Sequence, residues 1–350
     1  MHFLRIEPDL DDARLDAIED AADALGAIAS HLPTPVDHLM TVVGADAAAV
    51  AQLAELPGVV EPVELDPTWP LVSRARYPDR QPVELDGVSF GGDAFVVAAG
   101  PCSVERREQV FAAADAVRRA GASLLRGGAY KPRTSPYDFQ GLGVEGLRLL
   151  AHAGHAHGLP IVTEAMAPAD VDGMVEYVDM FQVGARNIQN YALLKALADQ
   201  PRPVLLKRGP GANFKEWLLA AEYIVTGGNE GVVLCERGIR SFETANRYTL
   251  DLASAVLAQQ KTWLPVIIDP SHATGRPELI PAMSMAGLAA GLDGLIVEVH
   301  AHPDEALSDG PQALVPTAFD SMMDDLRRLA PAVGRTIAPR IDAAPTREAS

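Results

Sequence analysis

Eight short apolar runs alternate with segments of helical spacing along residues 93–333, and this alternation constrains the fold more than any other feature of the chain. The runs are rich in β-branched residues, as expected for strands buried on both faces of a parallel sheet. Eight β/α units in roughly 250 residues are typical of a TIM (β/α)8 barrel, whereas an open doubly wound sheet would bring a Gly-rich fingerprint that this sequence lacks. The predicted strands are 95–98, 123–125, 161–163, 180–183, 204–206, 232–234, 266–268 and 295–297, and two of the intervening helices are predicted at 109–120 and 243–259.

Residues 1–75 carry a different pattern, which indicates a separate small α+β domain. Strands are predicted at 3–6, 39–43 and 59–63, and helices at 15–25 and 45–56. A stretch at 27–30 supplies the remaining strand, at best as an edge strand because Pro33 and Pro35 follow it. The resulting order βαββαβ is ferredoxin-like.

Two further segments complete the predicted organisation. Prolines recur from Pro67 to Pro82, and we interpret 76–92 as a linker that ends in a hairpin around Asp86 and Gly87. Residues 334–350 show no periodicity and are expected to form a loose C-terminal tail.

The charge balance excludes several classes of function. With 29 Lys and Arg against 47 Asp and Glu, the net charge is −18, which argues against binding to nucleic acid or to anionic lipid. No apolar run approaches the roughly 18 residues of a membrane span, and the first residues do not resemble a signal peptide. Two cysteines cannot build a disulfide framework, so we expect a cytoplasmic protein.

Six cationic residues lie at or just after the ends of predicted strands, where a TIM barrel places its active site. In so acidic a chain this favours an anionic ligand, because Arg binds phosphate and carboxylate through paired hydrogen bonds and Lys supplies a point charge. Two phosphorylated molecules, or one phosphate and a carboxylate, would use this many cations; ordinary surface ion pairing is the alternative. The six are Arg126, Lys131, Arg133, Arg186, Lys207 and Arg237.

Four potential metal ligands follow predicted strands one, seven and eight, which become neighbours when a barrel closes. A thiolate, an imidazole and carboxylates together suit a divalent transition metal ion. A second interpretation stays open, because a Cys at a strand end is commonly a small buried hydrophobe. The four are Cys102, His272, Glu298 and Asp309.

These motifs, in order over about 87–330, resemble those of the 3-deoxy-D-arabino-heptulosonate 7-phosphate synthase family, in its short-barrel type with a ferredoxin-like N-terminal extension. The most specific motif is the run from Lys131 to Ser135, Lys-Pro-Arg-Thr-Ser. The related 3-deoxy-D-manno-octulosonate 8-phosphate synthases share the barrel and carry Lys-Ala-Asn-Arg-Ser-Ser instead. The other motifs are Gly100-Pro101-Cys102-Ser103, Gly184-Ala185-Arg186-Asn187, Asp269-Pro270-Ser271-His272, and Glu298-Val299-His300 with Ser308-Asp309.

The resemblance implies a metal-dependent condensation of phosphoenolpyruvate with erythrose 4-phosphate, the first step of the shikimate pathway toward chorismate and the aromatic amino acids. It implies that Cys102, His272, Glu298 and Asp309 hold a divalent cation (Mn, Fe, Co or Zn), with Cys102, His272 and Lys131 as catalytic residues. Lys131 is the leading candidate for proton transfer, and Glu164 is an alternative. The implied phosphoenolpyruvate site is Arg126, Lys131, Arg186, Lys207 and Arg237, and the implied erythrose 4-phosphate site is Lys131, Pro132, Arg133, Thr134 and Ser135.

The same resemblance implies a homodimer or homotetramer and a Tyr or Phe effector bound by the N-terminal domain. Two other activities stay open. One is the octulosonate 8-phosphate synthase reaction, and the other is an aldolase in which Lys131 or Lys207 forms a Schiff base.

Overall fold

The computed structural model describes residues 1–32, 38–133 and 135–337. The strands that precede the barrel are β1 His2–Ile6, β2 Ile28–Leu32, β3 Leu39–Val43, β4 Val59–Val63, β5 Val83–Leu85 and β6 Val88–Phe90. The barrel strands are β7 Val96–Gly100, β8 Leu124–Arg126, β9 Ile161–Ala165, β10 Met180–Val183, β11 Val204–Lys207, β12 Val232–Glu236, β13 Val266–Ile268 and β14 Gly294–Glu298.

The helices alternate with the barrel strands from α3 onwards. They are α1 Asp12–Ala24, α2 Ala47–Ala54, α3 Arg107–Arg119, α4 Val144–His157, α5 Pro168–Met174, α6 Tyr191–Ala198, α7 Phe214–Thr226, α8 Leu252–Lys261, α9 Pro270–Thr274, α10 Ile280–Ala289 and α11 Pro316–Leu329. Single turns of 3-10 helix lie at Ala185–Asn187, Pro277–Leu279, Pro303–Glu305, Gly310–Gln312 and Ala330–Val333.

Strands β7 to β14 form a closed parallel barrel, which confirms the predicted fold class and all eight predicted strands. Each strand pairs with the next in the chain, and β14 returns to pair with β7. In this last pair Gly294 lies opposite Val96 and Glu298 lies opposite Gly100. The carboxyl ends of the strands therefore meet at one mouth, with β13, β14, β7 and β8 side by side.

The β5–β6 hairpin closes the barrel at the end away from this mouth. Its Val83, Leu85 and Phe90 share one buried cluster with inward side chains of the barrel strands, such as Val96 and Ile296. Asp86 and Gly87 both have positive φ angles, as the two central residues of a tight hairpin turn require. The turn predicted at these two residues is confirmed.

The N-terminal unit is a four-stranded antiparallel sheet in the order β2-β3-β1-β4 with helices α1 and α2. One sheet face packs on the helices through residues such as Leu4, Ile18 and Leu53. Strand β2 lies at the sheet edge, as predicted. Pro33 and Pro35, which suggested that position, lie outside the described residues.

The segment between the two units is bound closely to the barrel. The Glu222 carboxylate on α7 accepts hydrogen bonds from the amides of Leu71 (2.8 Å) and Val72 (3.0 Å). The indole of Trp263 donates to the Leu71 carbonyl at 2.7 Å. The buried Arg76 side chain pairs with Glu230 at 2.7 Å. This stretch therefore packs against the barrel, although its proline-rich sequence is typical of a linker.

The beginning of the expected C-terminal tail is also anchored. The Phe95 amide donates to the Thr336 carbonyl at 2.8 Å, and the Arg335 guanidinium reaches Asp293 at 3.2 Å. Residues 334–337 are thus part of the barrel edge and not loose, and residues 338–350 lie outside the described range.

One predicted helix begins later than expected. The helix predicted at 243–259 starts only at Leu252, where Asp251 caps it by accepting from the Ser254 amide. The preceding residues form a loop because their backbones bond to the end of helix α9: the Arg247 amide donates to Thr274 and the Tyr248 amide to Ala273. Within the described ranges, no helix combines the length and apolar character needed to cross a bilayer.

Replacing Glu222 with Ala should lower the free energy of unfolding by about 1–3 kcal/mol for each amide left without an acceptor. The affected amides belong to Leu71 and Val72, both fully buried. Urea unfolding of the full chain measures the loss. Lys215→Ala, at an exposed position of the same helix, is the control and should stay within about 0.5 kcal/mol of the wild type. Equal stability of Glu222→Ala and the control would contradict the anchoring role.

Candidate active site

The barrel strands deliver charged side chains to a single cavity at the mouth. Arg126, Lys207 and Glu298 are the last residues of β8, β11 and β14, and Arg237 directly follows β12. The cavity is lined by Arg126, Lys131, Pro132, Arg133, Asp138, Glu164, Gln182, Gly184, Ala185, Arg186, Lys207, Arg237, Arg247, His272 and Asp309. All six predicted cationic residues thus face one space.

The four predicted metal ligands converge beside this cavity. One ligand atom each of Cys102, Glu298 and Asp309 lies within 4.8 Å of the others. The Cys102 Sγ lies 3.3 Å from Asp309 Oδ2. The His272 Nε2 lies 3.3 Å from Glu298 Oε1 and 3.9 Å from Asp309 Oδ2. A thiol, an imidazole and two carboxylates therefore surround one point, a donor set that fits a divalent transition ion.

The local backbone places Cys102 and Asp309 where regular structure would not. Gly100 has a φ of +152°, and a Cβ there would lie 2.2 Å from the Arg126 carbonyl oxygen. Only glycine therefore allows β7 to turn against β8 and direct Cys102 to the mouth. Asp309 itself adopts a left-handed conformation with a φ of +48°. A non-glycine residue held in this region often marks a functional constraint.

Lys131 connects the cation cluster to the metal-ligand cluster. Its Nζ donates to the Cys102 carbonyl at 3.0 Å and lies 2.9 Å from the Cys102 Sγ. Burial by itself lowers the pKa of Lys131, but the neighbouring Cys102 and Glu298 outweigh it and raise the pKa. Lys131 is therefore protonated at neutral pH and can donate a proton into the cavity.

Asp269 holds the other side of the site in place. Its carboxylate binds Lys207 Nζ at 2.5 Å and lies 2.8 Å from His272 Nδ1. Although burial opposes ionisation, His272 and Lys207 hold the pKa of Asp269 well below its usual range. This carboxylate faces the imidazole nitrogen that lies away from Glu298 and Asp309. It thereby orients His272 in the way that metal-binding histidines are commonly oriented.

The protonation states of His272 and Glu298 suit cation binding at neutral pH, whereas that of Cys102 opposes it. Burial raises the pKa of Cys102 to about 12 and lowers the pKa of His272. The imidazole is therefore neutral, as a ligand must be, while the thiol must lose a proton when a cation binds. Glu298 stays ionised, because His272 and Arg126 outweigh the effect of burial and lower its pKa to about 2.

The arginine side chains of the cavity differ in their contacts with other protein groups and in their exposure. Arg126 is committed to Glu298 at 2.9 Å and to the Pro101 carbonyl. Arg133 pairs with Asp138 at 3.3 Å. Arg186 is exposed at the rim, and Arg237 lies 4.8 Å from the ring centre of Tyr248. Their guanidinium groups therefore surround the cavity at several depths.

Two members of the predicted substrate site are not placed in the cavity. Thr134 lies outside the described residues. Ser135 lies beside the cavity in a turn, where its Oγ accepts from the Tyr137 amide at 3.3 Å. Pro132 and Arg133 of the same run do line the cavity.

Sequence reasoning gave no role to three residues whose side chains contact those of the predicted metal ligands. Asp269 stood in a recognised motif but received no role. Arg247 and Gln312 lie eleven and fourteen residues beyond the last residues of β12 and β14 (247 − 236 and 312 − 298), so strand ends do not point to them.

Replacing Glu298 with Gln should change the acid sensitivity of the metal-free protein. A folded pKa of about 2 against an ordinary 4.5 means that the ionised group adds stability above pH 4.5, up to about 3 kcal/mol. This contribution declines as pH falls from 4.5 towards 2. The stability difference between wild type and Glu298→Gln, measured by urea unfolding, should therefore shrink over that range. A difference independent of pH would contradict the assignment.

Comparison with known proteins gives a consistent picture. Residues 77–331 match the model of the DAHP synthetase I family. A phospho-2-dehydro-3-deoxyheptonate aldolase of Thermotoga maritima is 45% identical over 295 residues, which cover 84% of this chain and 87% of that protein. A 2-dehydro-3-deoxyphosphooctonate aldolase of Acidithiobacillus ferrooxidans is 33% identical over 237 residues, or 63% of this chain and 83% of that protein.

Two solved structures share the fold of this chain. The crystal structure of the Thermotoga maritima DAHP synthase superposes with a TM-score of 0.77 at 38% identity and covers 96% of this chain and 98% of that one. A truncated form of the Thermotoga enzyme gives a TM-score of 0.72 at 42% identity, over 77% of this chain and 99% of that one. With a family match across the barrel and a relative of this similarity over most of its length, the chain belongs to the DAHP synthetase I family.

Proposed function

We propose that this protein condenses phosphoenolpyruvate with D-erythrose 4-phosphate and water to give 3-deoxy-D-arabino-heptulosonate 7-phosphate and phosphate, as the first step of the shikimate pathway. Family membership and the name of the Thermotoga relative support this activity. The observation that carries the proposal is the cavity itself, in which cations suited to two phosphorylated substrates adjoin a cluster of metal-binding side chains.

We further propose that Cys102, His272, Glu298 and Asp309 hold a divalent cation from the group Mn, Fe, Co and Zn. The donor set supports this proposal, since three of the four side chains are anionic once the thiol is deprotonated. A cation bound there would polarise the aldehyde carbonyl of erythrose 4-phosphate as a Lewis acid.

The cations of the cavity can offset the electrostatic repulsion between the two substrates. Both substrates are phosphate esters that repel each other, and their reacting carbons must nevertheless approach to bonding distance. Lys207, Arg237 and Arg186 on one side and Lys131 and Arg133 on the other can bind the two phosphates and the carboxylate separately. Holding two reactants in this way can contribute up to about 7–11 kcal/mol to catalysis.

We assign the proton transfer to Lys131. In the proposed reaction, C3 of phosphoenolpyruvate forms a bond to the aldehyde carbon, whose oxygen takes up a proton. Water then adds at C2, and phosphate leaves with cleavage of its C–O bond. The protonated Lys131 lies where the two substrate sites meet, 2.9 Å from Cys102 Sγ. Glu164, which also lines the cavity and accepts from Gln182 at 3.2 Å, is the alternative.

The surroundings of both cavity lysines disfavour a Schiff-base aldolase. An amine must be neutral to attack a carbonyl, whereas the pKa of Lys131 is raised and Lys207 is paired with the ionised Asp269. The octulosonate 8-phosphate synthase reaction is the remaining rival, since the Acidithiobacillus relative is by name a 2-dehydro-3-deoxyphosphooctonate aldolase. The Lys131–Ser135 run favours erythrose 4-phosphate over arabinose 5-phosphate.

Phosphate release by the metal-loaded protein tests this function directly. We expect turnover with phosphoenolpyruvate and erythrose 4-phosphate, little with arabinose 5-phosphate, and loss of activity on removal of the metal by a chelator. Cys102→Ala should lose both metal binding and turnover while keeping its fold. Cys235→Ala removes the other cysteine, which is buried inside the barrel, and should retain both. Turnover that survives in chelator or in Cys102→Ala would contradict the proposed metal site.

We propose that the N-terminal unit is a ferredoxin-like regulatory domain that binds Tyr or Phe. Its element order βαββαβ and its sheet order support the fold. A cytoplasmic homodimer or homotetramer completes the proposal, in line with the resemblance set out above.

A truncated chain that begins at Asp66 should separate regulation from catalysis. It keeps Leu71, Val72 and Arg76, whose contacts anchor the segment to the barrel, so we expect a stable and active enzyme. Inhibition by Tyr or Phe, measured on the full chain and on the truncated chain, should be present only in the former. Inhibition that persists after truncation would place the effector site in the barrel.

A further inference from the structure

The side chain of Gln312 lies between a cation and a carboxylate at the edge of the proposed metal site. Its Oε1 accepts from Arg247 Nη1 at 2.6 Å, and its Nε2 donates to Glu298 Oε2 at 2.6 Å. Gln312 is only 4% exposed. From this arrangement we infer that Gln312 and Arg247 are positioning residues, which hold the Glu298 and Asp309 carboxylates in the geometry that binds the cation.

The amide of Gln312 satisfies both of its neighbours. Arg247 can donate but cannot accept, and the ionised Glu298 can accept but cannot donate. The bridging group must therefore accept on one side and donate on the other, as a glutamine does in one fixed orientation. A carboxylate at this position would repel Glu298, and an apolar side chain would leave both neighbours unpaired in a buried place.

The bridge fixes the rotation of the Glu298 carboxylate. Oε2 receives the Gln312 amide, while Oε1 receives Arg126 at 2.9 Å and faces His272 Nε2 at 3.3 Å. With Arg126 and Gln312 at its two ends, the carboxylate keeps Oε1 directed at the point that the proposed ligands share. Without the Gln312 amide, the Glu298 carboxylate keeps Arg126 as its remaining fixed donor and can rotate.

Arg247 extends the same restraint to Asp309. Its Nη1 lies 3.7 Å from Asp309 Oδ1 as well as 2.6 Å from the Gln312 oxygen. The backbone of Arg247 is itself held by the Thr274 carbonyl at 3.0 Å, two residues beyond His272. The loops after β12, β13 and β14 are thus joined by hydrogen bonds around the proposed ligands.

The inference rests on the proposed metal site, and Co²⁺ alone can probe both. A Co²⁺ ion bound through the Cys102 thiolate would give a sulfur-to-cobalt charge-transfer absorption that needs no substrate. Titration of the metal-free full chain with Co²⁺, against a competing chelator, measures affinity and spectrum together. We expect Gln312→Met to weaken Co²⁺ binding about 10- to 100-fold, the range found when groups that orient metal ligands are removed, and to alter the visible absorption of bound Co²⁺.

Two further variants distinguish positioning from general damage. Arg247→Met should also lower the affinity for Co²⁺. The double variant should bind Co²⁺ with about the affinity of whichever single variant binds it less tightly, because both residues act through one chain of bonds. Arg247→Met also tests the inference on its own if Gln312→Met fails to fold. Gln81→Met, an exposed glutamine remote from the mouth, is the matched control and should bind Co²⁺ as the wild type does.

The outcomes separate the two claims. A wild-type chain that shows no thiolate-to-cobalt absorption would overturn the proposed metal site itself. A wild-type chain that shows it, together with Gln312→Met and Arg247→Met variants of unchanged affinity and spectrum, would overturn only the positioning role. Fully additive losses in the double variant would contradict action through a single bridge.

Discussion

Closure of the barrel between β14 and β7 is the constraint on which the site depends. The register of this pair sets Glu298 opposite Gly100, and the turn at Gly100 then brings Cys102 to the same corner. His272 arrives from the neighbouring β13 side on the short helix α9, and Asp309 from the loop after β14. Four side chains that are up to 207 residues apart in sequence (309 − 102) therefore meet because the first and last strands pair in one register.

The second principle of the site is compensation of charge. Two buried anions of the site each have a cationic partner: Glu298 has Arg126, and Asp269 has Lys207. Buried charges without such partners would cost several kcal/mol each. Arg186 and Arg237, which the preceding pairs do not include, line the same cavity. An acidic protein can in this way present a local excess of positive charge to anionic substrates.

Sequence patterns were sufficient for the framework because it follows from periodicity. Strands such as 180–183 and 266–268 are short apolar runs with both faces buried, so their positions and their order around the barrel could be predicted. The strand ends then gave Arg126, Lys207 and Glu298 directly. Cys102 and His272 lie two and four residues beyond their strands, close enough for the same argument.

What could not be predicted depends on tertiary contacts of loops. The stretch 243–251 has helical spacing, yet backbone bonds from Arg247 and Tyr248 to the α9 region hold it open. Gln312 has no sequence signal, because its role arises only when Arg247 and Glu298 flank it. The proline-rich stretch from Pro67 has the composition of a linker, but Glu222 and Trp263 bind its backbone. The composition of a segment gives no information about contacts with residues that are distant in sequence.

The most direct test of the account is the location of a bound ion in crystals grown with Mn²⁺ and phosphoenolpyruvate, read from anomalous scattering. The account predicts one strong peak bounded by Cys102 Sγ, His272 Nε2 and the Glu298 and Asp309 carboxylates, with the phosphate of phosphoenolpyruvate against Lys207 and Arg237. An ion bound elsewhere, or phosphoenolpyruvate bound with these four side chains unligated, would contradict it.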